Sequence, residues 1–158
     1  MAIKAIFLDI DGTLVRFNEK RMNERTLAAL EAARERGVSL FIVTGRYKDG
    51  IGVDAMFDFD GYSTANGEYC FMADGEVIHM SPMDPGDVHA FASACEARGL
   101  AVTFTEPDDI YFCGSEAELE KSSRYQSRRG GRDGRVRDWS VVGTNPVLLM
   151  VVDCDPSY

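Results

Sequence analysis

Two short apolar runs, each followed by polar residues, restrict the fold of the N-terminal half more than any other feature of the sequence. The first run is Ala5–Leu8 and the second is Val38–Val43. Apolar runs of this length, bounded by turn residues, are typical of strands buried on both faces of a parallel sheet. Between them, Asn23 is a suitable N-cap for a helix that ends at Gly37. The order strand, helix, strand predicts a parallel unit with a right-handed crossover.

The residues that follow these two strands are of types that carry out chemistry. Asp9 and Asp11 follow the first run, with Gly12 next to them, and Thr44–Arg46 follows the second. Carboxyl ends of parallel strands share one edge of the sheet, where ligands bind. We therefore expect a hydroxyl and a guanidinium beside two carboxylates, with backbone N–H groups available to an anion. Taken alone, the first stretch could also be an ordinary solvated Asp-Gly turn.

The rest of the chain alternates strands and helices and predicts a second module. A third strand is expected at Tyr62–Ala65, followed by a hairpin whose turn is Asp74-Gly75. After a linker, a helix is predicted from Asp84 to Arg98. Two strands, a helix from Ser115, a basic loop and the final strand Val147–Val152 follow. We expect residues 1–82 to form one domain and residues 83–158 a separate α+β domain.

Charge argues against a general nucleic-acid binder, with one local exception. The formal net charge is −9, whereas phosphate neutralisation needs clustered basic residues. The segment Lys121–Arg137 carries seven basic residues and the single acid Asp133. This segment is rich in Gly and Ser, and Tyr125 is its one aromatic residue, so a solvated loop is favoured over an RNA-binding surface.

Cysteine usage and hydropathy exclude several other classes. The four cysteines are widely spaced without a Cys-x-x-Cys pair, and His79 and His89 are isolated, so no zinc site is predicted. Reduced, mostly buried thiols are expected. No apolar run is long enough to cross a membrane, and no export signal is visible, so a cytoplasmic location is expected.

With these residues in view, the chain resembles the haloacid dehalogenase-like hydrolases, specifically the Cof-type phosphatases with a type IIB cap. "DIDGTL" is similar to the first family motif and "VTGR" to the second. "FDGYSTANGEY" is similar to the stretch that precedes the inserted cap domain in this family. The resemblance implies an α/β fold, in which a Rossmann-like parallel sheet core carries an inserted α+β cap.

The resemblance also implies a mechanism. Asp9 would be the nucleophile that forms an aspartyl phosphate, and Asp11 the general acid and base. Mg²⁺ would be held by the Asp9 carboxylate and the Asp11 backbone carbonyl. The substrate would be a small phosphorylated metabolite. The residues expected to bind its phosphate are Gly12, Thr44, Gly45, Arg46 and Asn66.

The sequence departs from the family pattern in its second half. The lysine of the third motif and the Gly-Asp of the fourth are not found. We therefore expect an incomplete sheet core, impaired turnover and self-association through the exposed edge of the first strand. The alternative is a non-catalytic remnant that binds a phosphate ligand or a partner chain. Two further acidic stretches, Asp58–Gly61 and Asp153–Asp155, are expected to be structural.

Overall fold

The computed structural model describes residues 3–17, 19–53, 55–122, 124–125 and 134–152. The chain divides into two compact units, Met1–Ser81 and Pro82–Tyr158. The division falls within the stretch where the sequence suggests a linker.

The first unit is built on a mixed five-stranded sheet. Its elements are β1 (Ala5–Leu8), α1 (Glu24–Glu35), β2 (Ser39–Val43), β3 (Gly61–Thr64), β4 (Tyr69–Met72) and β5 (Val77–Met80). The strand order follows the chain, β1-β2-β3-β4-β5. The pairs β1–β2 and β2–β3 are parallel, and β3–β4 and β4–β5 are antiparallel. The predicted α/β class, the strand–helix–strand unit and the hairpin are confirmed.

Local sequence signals set the ends of α1 as predicted. The Asn23 side chain accepts a hydrogen bond from the N–H of Thr26 at 2.9 Å, which satisfies one of the unpaired donors of the first turn. Leu30 is buried on the inner face of the helix. Gly37 follows the C-cap with a φ of 74°, a conformation that glycine adopts at low cost.

The prediction from composition that Ala5–Leu8 is buried on both faces is wrong, whereas the expected exposed edge of this strand is present in the described residues. Within the described residues β1 pairs with β2 alone and lies at the edge of the sheet. Phe7 is 66% exposed, and its ring stacks on that of Phe41 with centroids 5.0 Å apart. An apolar strand is buried only when other elements cover its faces and its outer edge, and the part of the chain described here does not cover β1 in this way.

The acidic stretch before β3 has the structural role that the sequence predicts. The Asp60 carboxylate accepts a hydrogen bond from the backbone N–H of Leu40 at 2.7 Å. Arg34 of α1 donates to the backbone carbonyl of Asp58. These contacts fasten the loop before β3 to β2 and to α1. The other acidic stretch, Asp153–Asp155, lies outside the described residues, as does Cys154.

The second unit has a three-stranded antiparallel sheet. Its elements are α2 (Pro85–Ala97), β6 (Val102–Glu106), β7 (Asp109–Cys113), α3 (Glu116–Leu119) and β8 (Leu149–Val152). The sheet order is β7-β6-β8. One apolar core joins α2 to this sheet. It contains Val88, Ala92, Cys95, Val102, Phe104, Tyr111, Cys113, Val142 and Val147.

The C-terminal end of the basic segment is attached to this sheet. Val136 forms an isolated bridge with Phe112 of β7. Arg135 and Arg137 both form ion pairs with Asp109. These two arginines therefore share one carboxylate within the unit. Residues 123 and 126–133, which include three of the predicted basic residues, lie outside the described part.

The remaining sequence predictions concern thiols and membrane segments. In the described part of the chain, Cys70, Cys95 and Cys113 carry reduced thiols, and the latter two are buried. Within the described ranges, no helix combines the length and the apolar character needed to span a membrane.

Candidate active site

The turn after β1 is fixed by a short hydrogen-bonded loop. The carbonyl of Ile10 accepts from the N–H groups of Leu14 and Val15 at 3.1 and 2.9 Å. Gly12 in turn donates its N–H to the carbonyl of Val15 at 2.8 Å. The side chains of Ile10, Leu14 and Val15 are at most 5% exposed. The backbone that carries the two carboxylates is thus anchored in the apolar interior.

Asp9 and Asp11 themselves are exposed, and the glycine beside them is required by the backbone. Gly12 has a φ of 85°, where a side chain is strained. A Cβ at this position would also come within 2.9 Å of the Phe17 ring. The Asp-x-Asp-Gly sequence therefore presents two solvent-facing carboxylates on a turn of defined shape.

Thr44 lies at the end of β2 and is tied to its neighbours on both sides. Its N–H donates to the carbonyl of Ser63 at 2.9 Å, and its Oγ1 accepts from the N–H of Arg46 at 3.1 Å. The residue is 4% exposed. A hydroxyl that accepts one hydrogen bond can still donate its own proton, so the side chain retains a donor.

The turn after β3 holds Asn66 against the turn after β2. Ala65 and Asn66 both have positive φ angles, 49° and 61°, which is unfavourable for residues other than glycine. The N–H of Ala65 donates to the carbonyl of Arg46 at 2.8 Å, and that of Asn66 to the carbonyl of Thr44 at 3.3 Å. A Cβ on Gly45 would lie 2.7 Å from Asn66 Oδ1, so the glycine permits this close approach.

Arg46 connects the turn after β2 to the turn after β1. Its Nε donates to Asp11 Oδ2 at 2.9 Å, and its Nη2 donates to Asp11 Oδ1 at 2.6 Å. Nη1 donates to the backbone carbonyls of Gly50 and Ile51 at 3.0 and 2.9 Å. The two N–H groups of a planar guanidinium match the two oxygens of a carboxylate, so both hydrogen bonds form at once.

The ion pair alters the acidity of both partners. Hydrogen bonding to Arg46 holds the pKa of Asp11 below its ordinary value, although partial burial opposes this effect. The same hydrogen bond raises the pKa of Arg46, with a further contribution from the negative charge of Asp9. Any stability from this pair is present above the ordinary pKa of an aspartate and is lost as the pH falls through the lowered value. This contribution is small because both side chains are about a third exposed or more.

The structure brings most of the predicted site residues together. Asp11, Thr44, Gly45, Arg46 and Asn66 are joined by the contacts given above, and Asp9 and Gly12 belong to the same turn as Asp11. The predicted convergence of the first two strands at one edge of the sheet is confirmed by their parallel pairing and by the contact between Asp11 and Arg46. The sequence did not identify the carbonyls of Gly50 and Ile51, because backbone acceptors leave no signal in residue type.

A metal ion would find only part of its ligand set here. Among the residues that the structure describes, no group of three or more His, Cys, Asp and Glu side chains is placed to hold a metal. Asp9 and the backbone of Asp11 nevertheless offer oxygen atoms, which are the ligand type that Mg²⁺ prefers.

Comparisons with known proteins indicate the family to which this chain belongs. A family model for haloacid dehalogenase-like hydrolases matches residues 6–151. A solved sugar phosphatase of haloacid dehalogenase subclass IIB is 34% identical, with a TM-score of 0.77, over 94% of this chain and 58% of that one. A hypothetical protein from Geobacillus kaustophilus has a TM-score of 0.82 at 20% identity, over 99% of this chain and 59% of that one, which supports the fold alone.

A curated relative points in the same direction. The HMP-PP phosphatase of Shigella flexneri serotype 5b (strain 8401) is 28% identical over 116 residues, which are 72% of this chain and 42% of that protein. The chain thus spans about half the length of these relatives. Since the family model extends over nearly the whole chain and includes the turns after β1 and β2, the chain belongs to the haloacid dehalogenase-like hydrolase family.

Proposed function

We propose that this chain carries the nucleophile-bearing part of a Mg²⁺-dependent phosphatase that acts on small phosphorylated metabolites. The observation that carries the proposal is the pair of exposed carboxylates, Asp9 and Asp11, on an anchored turn beside Thr44–Arg46. Two relatives named for phosphatase activity, one on sugars and one on HMP-PP, support the same reaction class. The first unit acts as the catalytic core and the second as the cap.

The reaction divides one difficult displacement into two steps. In the first, a carboxylate oxygen of Asp9 attacks phosphorus, the bond from phosphorus to the leaving oxygen breaks, and Asp11 gives that oxygen a proton. In the second, water attacks phosphorus, Asp11 takes a proton from it, and the bond to Asp9 breaks to release phosphate. Hydrogen bonding to Arg46 holds the pKa of Asp11 below its ordinary value, which favours the carboxylate form that takes the proton from water in the second step.

The oxygens of the phosphoryl group are held by groups on the turns after β2 and β3. The N–H group of Gly45, the hydroxyl of Thr44 and the side-chain amide of Asn66 supply donors there. The N–H of Gly12 already donates to the carbonyl of Val15, so Gly12 contributes the shape of the turn after β1. Donors held in place before the reaction stabilise the charge that develops on the phosphoryl oxygens.

Mg²⁺ would be held by the Asp9 carboxylate and the Asp11 carbonyl. Bound there, it would offset the repulsion between the carboxylates of Asp9 and Asp11 and an anionic substrate. We expect weak binding, because Mg²⁺ needs near-octahedral oxygen coordination and gives up water reluctantly. Calorimetry tests this: submillimolar affinity that is lost in both Asp9→Ala and Asp11→Ala would instead indicate a complete site.

Phosphorylation of the chain tests the nucleophile directly. The 158-residue chain is incubated with acetyl phosphate and MgCl₂, and the phosphorylated residue is located by mass spectrometry. We expect one phosphoryl group on Asp9, none in Asp9→Asn, and unchanged labelling in the control Asp74→Asn, which alters an exposed hairpin carboxylate. Label on another residue, or labelling that survives Asp9→Asn, contradicts the assignment.

Steady-state turnover is expected to be low. Among the described residues, the cation in contact with the catalytic carboxylates is Arg46, which is already bound to Asp11. The loss of one electrostatic contact to the reacting group commonly costs about 10²–10³ in rate. Fast, Mg²⁺-dependent hydrolysis of p-nitrophenyl phosphate would contradict this expectation. A chain that binds inorganic phosphate but is never phosphorylated would instead fit the non-catalytic alternative.

A further inference from the structure

Arg46 has already engaged most of its hydrogen-bonding capacity within the protein. A guanidinium carries five N–H groups. Four of the five are engaged: one from Nε and one from Nη2 donate to Asp11, and two from Nη1 donate to the carbonyls of Gly50 and Ile51. A phosphoryl oxygen could therefore not receive two bonds from this side chain unless an existing contact is broken.

The backbone of Arg46 is held as firmly as its side chain. Its N–H donates to Thr44 Oγ1, and its carbonyl accepts from Ala65. The acceptor Ile51 is 2% exposed, so the carbonyl that Nη1 contacts belongs to a buried residue. Two backbone carbonyls thus hold Nη1 of the guanidinium, while Nε and Nη2 donate to Asp11.

We propose that Arg46 is a positioning residue, which orients the Asp11 carboxylate and compensates its charge, and that it is not a direct ligand of the phosphoryl group. This inference rests on the proposed function only in the role that Asp11 takes there. Two fixed bonds determine which way the carboxylate faces. With the charge of Asp11 compensated, one carboxylate instead of two repels an approaching phosphate.

The resonance of the Arg46 Nε–H group in an isotope-labelled chain tests the proposal without any activity. We expect Asp11→Ala to shift this resonance and to speed its hydrogen exchange at least about tenfold, because the acceptor is lost. Asp11 is 52% exposed, so its truncation leaves the core intact. The exposed Arg16 serves as a reference arginine, and Asp74→Ala as a matched control variant. An Arg46 signal that does not respond to Asp11→Ala overturns the proposal.

A titration of the unmodified chain with inorganic phosphate separates positioning from direct binding. We expect phosphate to shift the backbone amide signal of Gly45 and the side-chain amide signal of Asn66 and to leave the Arg46 Nε–H signal in place. An Arg46 shift as large as that of Gly45 would identify a direct phosphate ligand and overturn the proposal. If no amide shifts, the proposed function fails, and the Asp11→Ala comparison still decides the inference.

A conservative variant adds a second readout. Lysine keeps the positive charge of Arg46 but cannot form the two parallel bonds. We therefore expect the carboxyl carbon signal of Asp11 to move in Arg46→Lys about as far as in Arg46→Gln. If lysine restores the native signal, charge alone is sufficient and the orienting role is contradicted.

Discussion

Strands β1 and β6 show that the burial of a strand does not follow from its own composition. All four residues of β1 are apolar, yet this strand lies at the sheet edge with Phe7 66% exposed. Strand β6 contains Thr103, Thr105 and Glu106, and every one of its residues is buried. The polar strand is the inner one because β7 and β8 pair with its two edges and α2 covers one face.

The two strands also differ in what their burial requires. A buried polar group needs hydrogen-bond partners. An exposed apolar side chain needs none and only lacks the free energy that its burial would contribute to stability. In β6, Glu106 Oε2 accepts a hydrogen bond from the Asn145 side chain at 3.0 Å. In β1, no strand of the described residues pairs with the outer edge, which leaves backbone groups and apolar side chains open to another chain. We therefore expect the second unit to lose stability when its core side chains are truncated. We expect the first unit to associate with other chains through β1.

The largest expected difference comes from removing one aromatic ring from each strand. Phe104 of β6 is fully buried, so Phe104→Ala should lower the free energy of unfolding by about 3–5 kcal/mol. Phe7→Ala should cost about 1 kcal/mol or less, since it loses mainly the stacking on Phe41. Denaturant unfolding followed by circular dichroism and by Trp139 fluorescence measures both. Equal losses would mean that β1 is covered in solution.

A smaller effect is expected at the buried carboxylate of the second unit. Glu106 is 6% exposed and Tyr111 fully buried, and neither Glu106 Oε1 nor Tyr111 Oη has a hydrogen-bond partner among the described residues. Asn145→Ala removes the partner of Oε2 and should cost about 1–3 kcal/mol of unfolding free energy. Glu106→Gln keeps the shape without the charge and should cost less. If Asn145→Ala leaves the free energy of unfolding unchanged, solvent reaches Glu106.

The open edge of β1 predicts that the chain associates with a second copy through this strand. A charge on an edge strand blocks pairing with another chain, so Phe7→Lys should weaken association about tenfold or more, which is about 1.4 kcal/mol. Ile78→Lys, on the exposed strand β5 at the other edge, is the matched control and should have little effect. Sedimentation over a range of concentrations measures both. A native chain that stays monomeric contradicts the prediction, and dissociation by Ile78→Lys alone would indicate the other edge.

The smallest effect is expected in the rates at which a reagent modifies the thiols. These rates allow a direct comparison of the interiors of the two units. Burial, with a lesser contribution from Asp138, raises the pKa of Cys113 to about 12, so this thiol stays protonated at pH values near 8. Reactivity requires the thiolate and access to solvent. In a Cys154→Ser background, a thiol reagent should modify the half-buried Cys70 quickly and Cys113 only after unfolding. Fast labelling that persists in Cys70→Ser would show that the core of the second unit opens readily.

Most elements could be predicted from local sequence signals. Asn23 and Asp84 cap α1 and α2, Gly37 and Gly99 end them, and Gly75 makes the hairpin turn. These signals act within a few residues of the chain, so they do not depend on the rest of the fold. The placement of Asp9, Asp11 and Thr44 at one edge followed from the rule for parallel strands. That rule needs only the order strand, helix, strand in one continuous stretch of sequence.

Sequence alone thus determined the type and order of the elements, the two turns that carry the candidate catalytic residues, and the family. Tertiary structure decided that every residue of β6 is buried, that Arg46 binds Asp11, and that the carbonyls of Gly50 and Ile51 hold its guanidinium. The reason is physical: capping, turn formation and periodicity depend on neighbouring residues. Burial and the choice of a hydrogen-bond partner depend on which distant segments share the same space.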